Sequence, residues 1–184
     1  MFWISKLFSP EMKQVEATFI DGKAGASSLP AFKKWGENPP FRGIQAIHGF
    51  QSTNNDIPGW ISKHQGSGTM SEIIWYKFTE RQWPTKISFQ PLQWHDDQKR
   101  AKKWTPTKFQ FVGTKANGCK SDWKILCEQV NRKNPLYLNE TRQCGIQEKN
   151  LRRSKYKCLG LKVKETNGER AAVSNIRIWV LQRT

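Results

Sequence analysis

Four aromatic side chains, Phe32, Trp35, Phe41 and Trp60, stand among Lys33, Lys34, Arg42, Lys63 and His64 in a stretch rich in Gly, Pro, Asn and Ser. Rings interleaved with cations can serve two kinds of ligand. One ring can stack on the apolar face of a sugar while Arg or His bonds its hydroxyls. Alternatively, the rings enter a membrane interface, where each nearby cation adds about 1 kcal/mol of attraction to anionic lipid. The competing reading packs Trp35 and Trp60 beneath their own loops. Phe32, Trp35, Phe41, Arg42, Trp60, Lys63 and His64 are therefore the candidate ligand-binding residues.

A second kind of chemistry comes from basic clusters. Lys99, Arg100, Lys102, Lys103 and Lys108 form one, with Trp94 and Trp104 interleaved; Lys149, Arg152, Arg153, Lys155 and Lys157 form another. Lys99, Arg100, Lys102, Lys103, Arg152 and Arg153 are the candidate basic patch. Alternation along Leu159, Leu161 and Val163 points Lys162 and Lys164 outward together, so two basic segments on outer faces could merge into one surface; a solvated face with snorkelling lysines is the alternative. Thirty-one Lys and Arg against fifteen acids give a net charge of +16. Such a field raises the local concentration of polyanions and speeds their arrival, although it also serves plain solubility. No RNA-recognition, homeobox or zinc-finger pattern accompanies it, so no specific nucleic-acid partner is expected.

Catalytic patterns are absent: the chain has no G-x-S-x-G, G-x-x-x-x-G-K-[ST] or H-E-x-x-H. His95-Asp96-Asp97 reads as a solvated loop, and Asp56 alone does not make a calcium loop. Cys119, Cys127, Cys144 and Cys158 contain no C-x-x-C pair, and His48, His64 and His95 lie far from them. No catalytic residue, metal or cofactor is expected. An even cysteine count suits two disulfides and an oxidising compartment; four thiols in a cytosolic protein is the alternative. Of three possible pairings, Cys127–Cys144 would face across a hairpin of Trp123–Glu128 with Arg142–Ile146, leaving Cys119–Cys158. The sequon Asn139-Glu140-Thr141 makes Asn139 a glycosylation candidate and also leans extracellular. The opening M-F-W-I-S-K-L-F is too short for a signal-peptide core. A removed signal, a fragment of a longer chain and a non-secreted protein all stay open. No stretch reaches the ~20 apolar residues of a membrane helix.

These groups need elements to position them. Ile87/Phe89, Phe109/Phe111, Trp123/Ile125/Cys127, Leu159/Leu161/Val163 and Ile176/Ile178/Val180 alternate with polar residues, and turn residues lie beside them. Period two bounded by Pro, Gly, Asn and Asp predicts antiparallel strands with one buried face, hence an all-β sandwich or barrel. Expected strands are 26–29, 73–78, 85–90, 108–114, 123–129, 142–147, 156–164 and 174–181. Only 92–103 has enough helix formers for a short turn. Trp75, Phe89, Phe109, Phe111, Trp123, Ile125, Leu159, Leu161, Ile176 and Ile178 are the expected core, with Trp179 on the opposite face. Residues 1–24 read as a lead-in and 25–184 as one domain.

The segments F-Q-F-V-G-T-K-A-N-G-C-K-S-D-W-K-I-L (109–126), Y-K-C-L-G-L-K-V (156–163), A-A-V-S-N-I-R-I-W-V (171–180) and S-E-I-I-W-Y-K-F (71–78) resemble the discoidin domain, or coagulation factor V/VIII C-type domain. The likeness spans roughly 25–181 and is clearest in the last third. Upstream it narrows to A-S-S (26–28) and A-I-H-G-F (46–50). The resemblance implies a galactose-binding-like jelly roll whose members bind glycans, anionic phospholipid or proteins without doing chemistry. The expected function is a non-catalytic, extracellular module recognising carbohydrate or glycoconjugate in adhesion, with anionic phospholipid or sulfated polysaccharide as further ligands. The rival is an intracellular or peripheral scaffold holding anionic membrane, protein or nucleic acid through its basic surface.

Overall fold

The computed structural model describes residues 11–17, 23–27, 59–63, 68–93, 95–151 and 153–183. They form β1 (Met12–Glu16), β2 (Lys23–Ala26), β3 (Trp60–Ile61), β4 (Gly68–Gln90), α1 (Gln98–Lys103), β5 (Pro106–Thr114), β6 (Lys124–Val130), β7 (Arg142–Gly145), β8 (Tyr156–Thr166) and β9 (Ala172–Arg183). Short 3-10 turns at His95–Asp97 and Glu148–Asn150 complete them.

All pairings are antiparallel and fall into two layers. In the first, β8 lies between β4 and β5, β6 follows β5, and β2 borders β4. In the second, β9 lies between β1 and β4, with β7 beyond β4 and β3 also on β9. β4 belongs to both layers. It pairs with β8 up to Gln82, with a register slip between Lys77 and Gln82, and with β9 from Trp83. The sequence predicts two strands here. They are continuous because no Gly, Asn or Asp interrupts 78–84, and Pro84 sits beside a register shift, where a missing N–H is tolerated.

Ile74, Tyr76, Ile87, Phe89, Phe109, Phe111, Leu159, Leu161, Val163, Ile178 and Val180 fill the space between the layers. The period-two pattern thus places most of the expected core correctly, and Trp179 is half-buried as expected. Three assignments change. Trp75 is half-buried on the other face of β4, because Ile74, Tyr76 and Phe78 take the inward positions. Its ring lies over Gly25, where a Cβ would come within 2.3 Å. Ile125 is 60% exposed. The β5–β6 register pairs Phe111 with Cys127 and Val112 with Ile125, so a bulge at Leu126 reverses the alternation. Leu126 packs on the core instead. Trp123 precedes β6 and is half-buried.

The disulfides are Cys119–Cys158 and Cys127–Cys144. The pairing is the expected one, but the hairpin is not, because β7 pairs with β4 rather than with β6. Residues 12–16, within the segment read as a lead-in, form β1, which bonds along β9 from Arg183 to Trp179.

The strands define two ends. At the loop end β4 both begins and finishes, β5, β7 and β9 begin, and β6 and β8 finish. At the far end Met12 faces Arg183, and Tyr156 opens β8.

Candidate ligand-binding surface

A second, smaller core closes the loop end. Ile61, Leu92, Ala101, Trp104, Leu138 and Ala172 pack together, joining β3, the chain after β4, α1, the 131–141 connection and the start of β9. Burial of apolar area is what draws these five segments onto one spot. Asp97 accepts from the Arg100 N–H at 3.0 Å and so caps α1. Trp104 is 5% exposed. The Arg100 guanidinium carbon is 5.6 Å from its ring centroid and that of Arg170 is 5.9 Å. Gly168 makes room for this ring: a Cβ there would fall 2.5 Å from Trp104 Cδ1. Arg170 donates from Nη1 to the Ser62 carbonyl at 2.8 Å. Burial holds the Arg170 guanidinium below its ordinary pKa, and neighbouring Glu169 opposes that shift.

The 131–141 connection is tied down from three sides. Gln93 Nε2 donates to the Leu138 carbonyl at 2.8 Å. Asn167 Nδ2 donates to Asn134 Oδ1 at 2.7 Å. Arg142, buried, donates from Nη1 to the Pro106 carbonyl and from Nη2 to the Lys133 carbonyl at 2.6 Å. Desolvation lowers the Arg142 pKa and Glu140, 3.8 Å away, pulls it back up. Held in this way, the connection presents Leu136 and Tyr137 outward, 73% and 69% exposed. Exposed Arg132 and Lys133 precede them, and exposed Asn139 follows. The sequon residues Asn139 and Thr141 both accept from Gln90 Nε2, at 3.1 and 3.3 Å.

The residues anticipated from sequence divide sharply. Phe32, Trp35, Phe41, Arg42, His64 and Arg152 lie outside the described residues. Lys63 is exposed just after β3. Trp60 is fully buried and belongs to the main core. Its strand pairs with Val173 and Ala172, which turns the indole inward; the ring is structural, not a loop tip. Lys99, Arg100 and Lys103 are exposed on α1 and Lys102 is half-buried. Arg153 is exposed at the far end, near Lys155, whose Nζ lies 3.9 Å from the Trp83 ring centroid. Among the described residues the basic clusters do not merge into one surface. They flank opposite ends of the 11-residue β8, about 35 Å apart at ~3.3 Å per residue.

Leu136, Tyr137, Arg142 and Arg170 are the residues that sequence reasoning passes over. Asn134-Pro135 announces a turn before Leu136, but exposure of an apolar pair depends on what the neighbouring segments cover.

No family model matches the sequence, and no curated protein matches it. Solved structures do. The family 32 carbohydrate-binding module of Clostridium perfringens NanJ, in complex with galactose, has a TM-score of 0.62 and 12% identity, covering 91% of this chain and 99% of its own. A family 32 module of Clostridium perfringens GH89, in complex with GalNAc-β-1,3-galactose, has a TM-score of 0.59 and 14% identity, covering 85% and 94%. The F5/8 type C domain of a Bacteroides fragilis protein has a TM-score of 0.60 and 8% identity, covering 93% and 97%. This chain has the galactose-binding-like β-sandwich fold of discoidin (F5/8 type C) domains and family 32 carbohydrate-binding modules.

Proposed function

We propose that this chain is a non-catalytic binding module that holds a glycan or glycoconjugate at the loop end of its sandwich. The observation that carries the reading is the Leu136–Tyr137 tip, two large apolar side chains held out by a connection anchored through Gln93, Asn167 and Arg142. A ring presented rigidly offers an apolar face to a pyranose with little entropy to lose on binding. The solved modules of this fold include complexes with galactose and GalNAc-β-1,3-galactose, which supports a sugar as the ligand class. In this reading Phe32, Trp35, Phe41, Arg42, Lys63 and His64 stay candidate ligand contacts, and the cations of α1 add general attraction to anionic glycans. Two disulfides and an exposed Asn139 support a place outside the cell, in recognition at a surface or matrix.

A glycan array with neutral and sulfated sugars, run at low and physiological salt, tests this. The expected result is signal on defined neutral glycans that survives salt. Signal confined to sulfated sugars and fading with salt would move the site to the basic α1 face. Silence on every glycan would remove the reading.

A further inference from the structure

β6 ends the sheet order and has β5 as its one hydrogen-bonded neighbour among the described strands. Alternate N–H and C=O groups along its seven residues therefore face away from the sheet. Natural edges of that length are commonly blunted by charge, Pro or cover. This one carries Lys124 and Glu128 but also exposes Ile125 by 60% and Val130 by 50%. The Cys127–Cys144 disulfide fastens its middle to β7. Next to it opens a cavity of about 170 Å³ lined by Pro84, Ile125, Leu126, Ile146 and Tyr156, with Arg153 among its polar residues. Lys124 and Arg153 are exposed beside it, and Lys149 is exposed on the same β7–β8 connection as Arg153. Glu128, the one carboxylate on β6, already accepts from Gln110 Nε2.

We propose that the β6 edge and this cavity form a docking site for an extended acidic segment of another protein. The segment adds to β6 as a strand, sets one aliphatic side chain into the cavity and brings carboxylates to Lys124 and Arg153. Main-chain bonds supply affinity and the cavity sets the register, as in other cases of strand addition. Charge selects the occupant. Two copies of a chain with net charge +16 repel, whereas an acidic strand is attracted. The cavity lies by the start of β8 and the glycan surface at its finish, so this inference stands apart from the glycan reading.

A fluorescein-labelled peptide of alternating Glu and Leu, as long as β6, is titrated with the whole protein and followed by anisotropy and amide NMR. Saturable binding is expected, with shifts centred on 124–130 and the cavity lining. Ile125→Glu and Arg153→Glu should each weaken it by about tenfold. Both positions are exposed, so the melting temperature should hold. No anisotropy change up to about 1 mM protein, a range that still detects millimolar Kd, would overturn the proposal. Equal binding by the Ile125→Glu variant, or by a backbone N-methylated peptide that cannot bond to a strand edge, would overturn it too. So would a concentration-dependent dimer abolished by Ile125→Glu, which would make a second copy the occupant.

Discussion

Gln93 donates from Nε2 to the carbonyl of Leu138 at 2.8 Å, bonding the chain that leaves β4 to the connection that displays Tyr137. Leu138 itself is buried beside Leu92 and Trp104. One residue is thus held by its backbone and its side chain while its neighbour, Tyr137, faces solvent. That division of labour makes the tip a rigid feature of the fold.

Tyr137→Ala should leave stability unchanged, because the ring is 69% exposed. Glycan affinity should fall by about tenfold, equal to about 1.4 kcal/mol. Calorimetric titration with the strongest array sugar, alongside thermal melting, checks both halves. Undiminished affinity would take Tyr137 out of the site.

Trp60→Ala should behave in the opposite way. The indole is fully buried in the main core, so truncation should cost about 3–5 kcal/mol. Urea unfolding would read this directly. Full stability combined with lost binding would return Trp60 to the ligand loops.

Arg142→Met keeps much of the side-chain volume but strands the carbonyls of Pro106 and Lys133. An expected loss of about 2–4 kcal/mol follows from one buried and one partly buried acceptor losing a charged donor. Because Lys133 lies in the displayed connection, amide exchange over 132–138 should also quicken. Arg142→Lys should recover only part of the stability, since an ammonium cannot fork to both carbonyls.

Mass spectrometry without and with reductant should show both disulfides intact in protein made in an oxidising compartment. Their removal should cost unequal amounts. Closing loops of 39 and 17 residues predicts about 4 kcal/mol for Cys119–Cys158 and about 3 kcal/mol for Cys127–Cys144 on the chain-entropy account. Paired Cys→Ser variants measured by urea unfolding would rank them. Four thiols reactive in the native protein would contradict the assignment.

The all-β class was legible in the chain because period-two alternation is a local property of strands. Phe109/Phe111, Leu159/Leu161/Val163 and Ile176/Ile178/Val180 announce their buried faces without knowledge of any partner, and all of them are buried. The cysteine count and the basic surplus were equally plain. What each residue faces was another matter. Ile125 obeys the alternation rule locally, yet a single bulge at Leu126 turns it outward. Trp60 sits among loop-like residues, but two backbone pairings with β9 seal it into the core. Leu136, Tyr137 and Leu138 are three consecutive apolar residues, and only contact with Leu92, Ala101 and Trp104 decides that Leu138 goes in while the other two stay out. Sequence by itself determined which segments become strands, since that follows from each strand's own pattern of polarity. Tertiary structure alone decided which apolar groups remain for a ligand, because exposure depends on what distant segments cover.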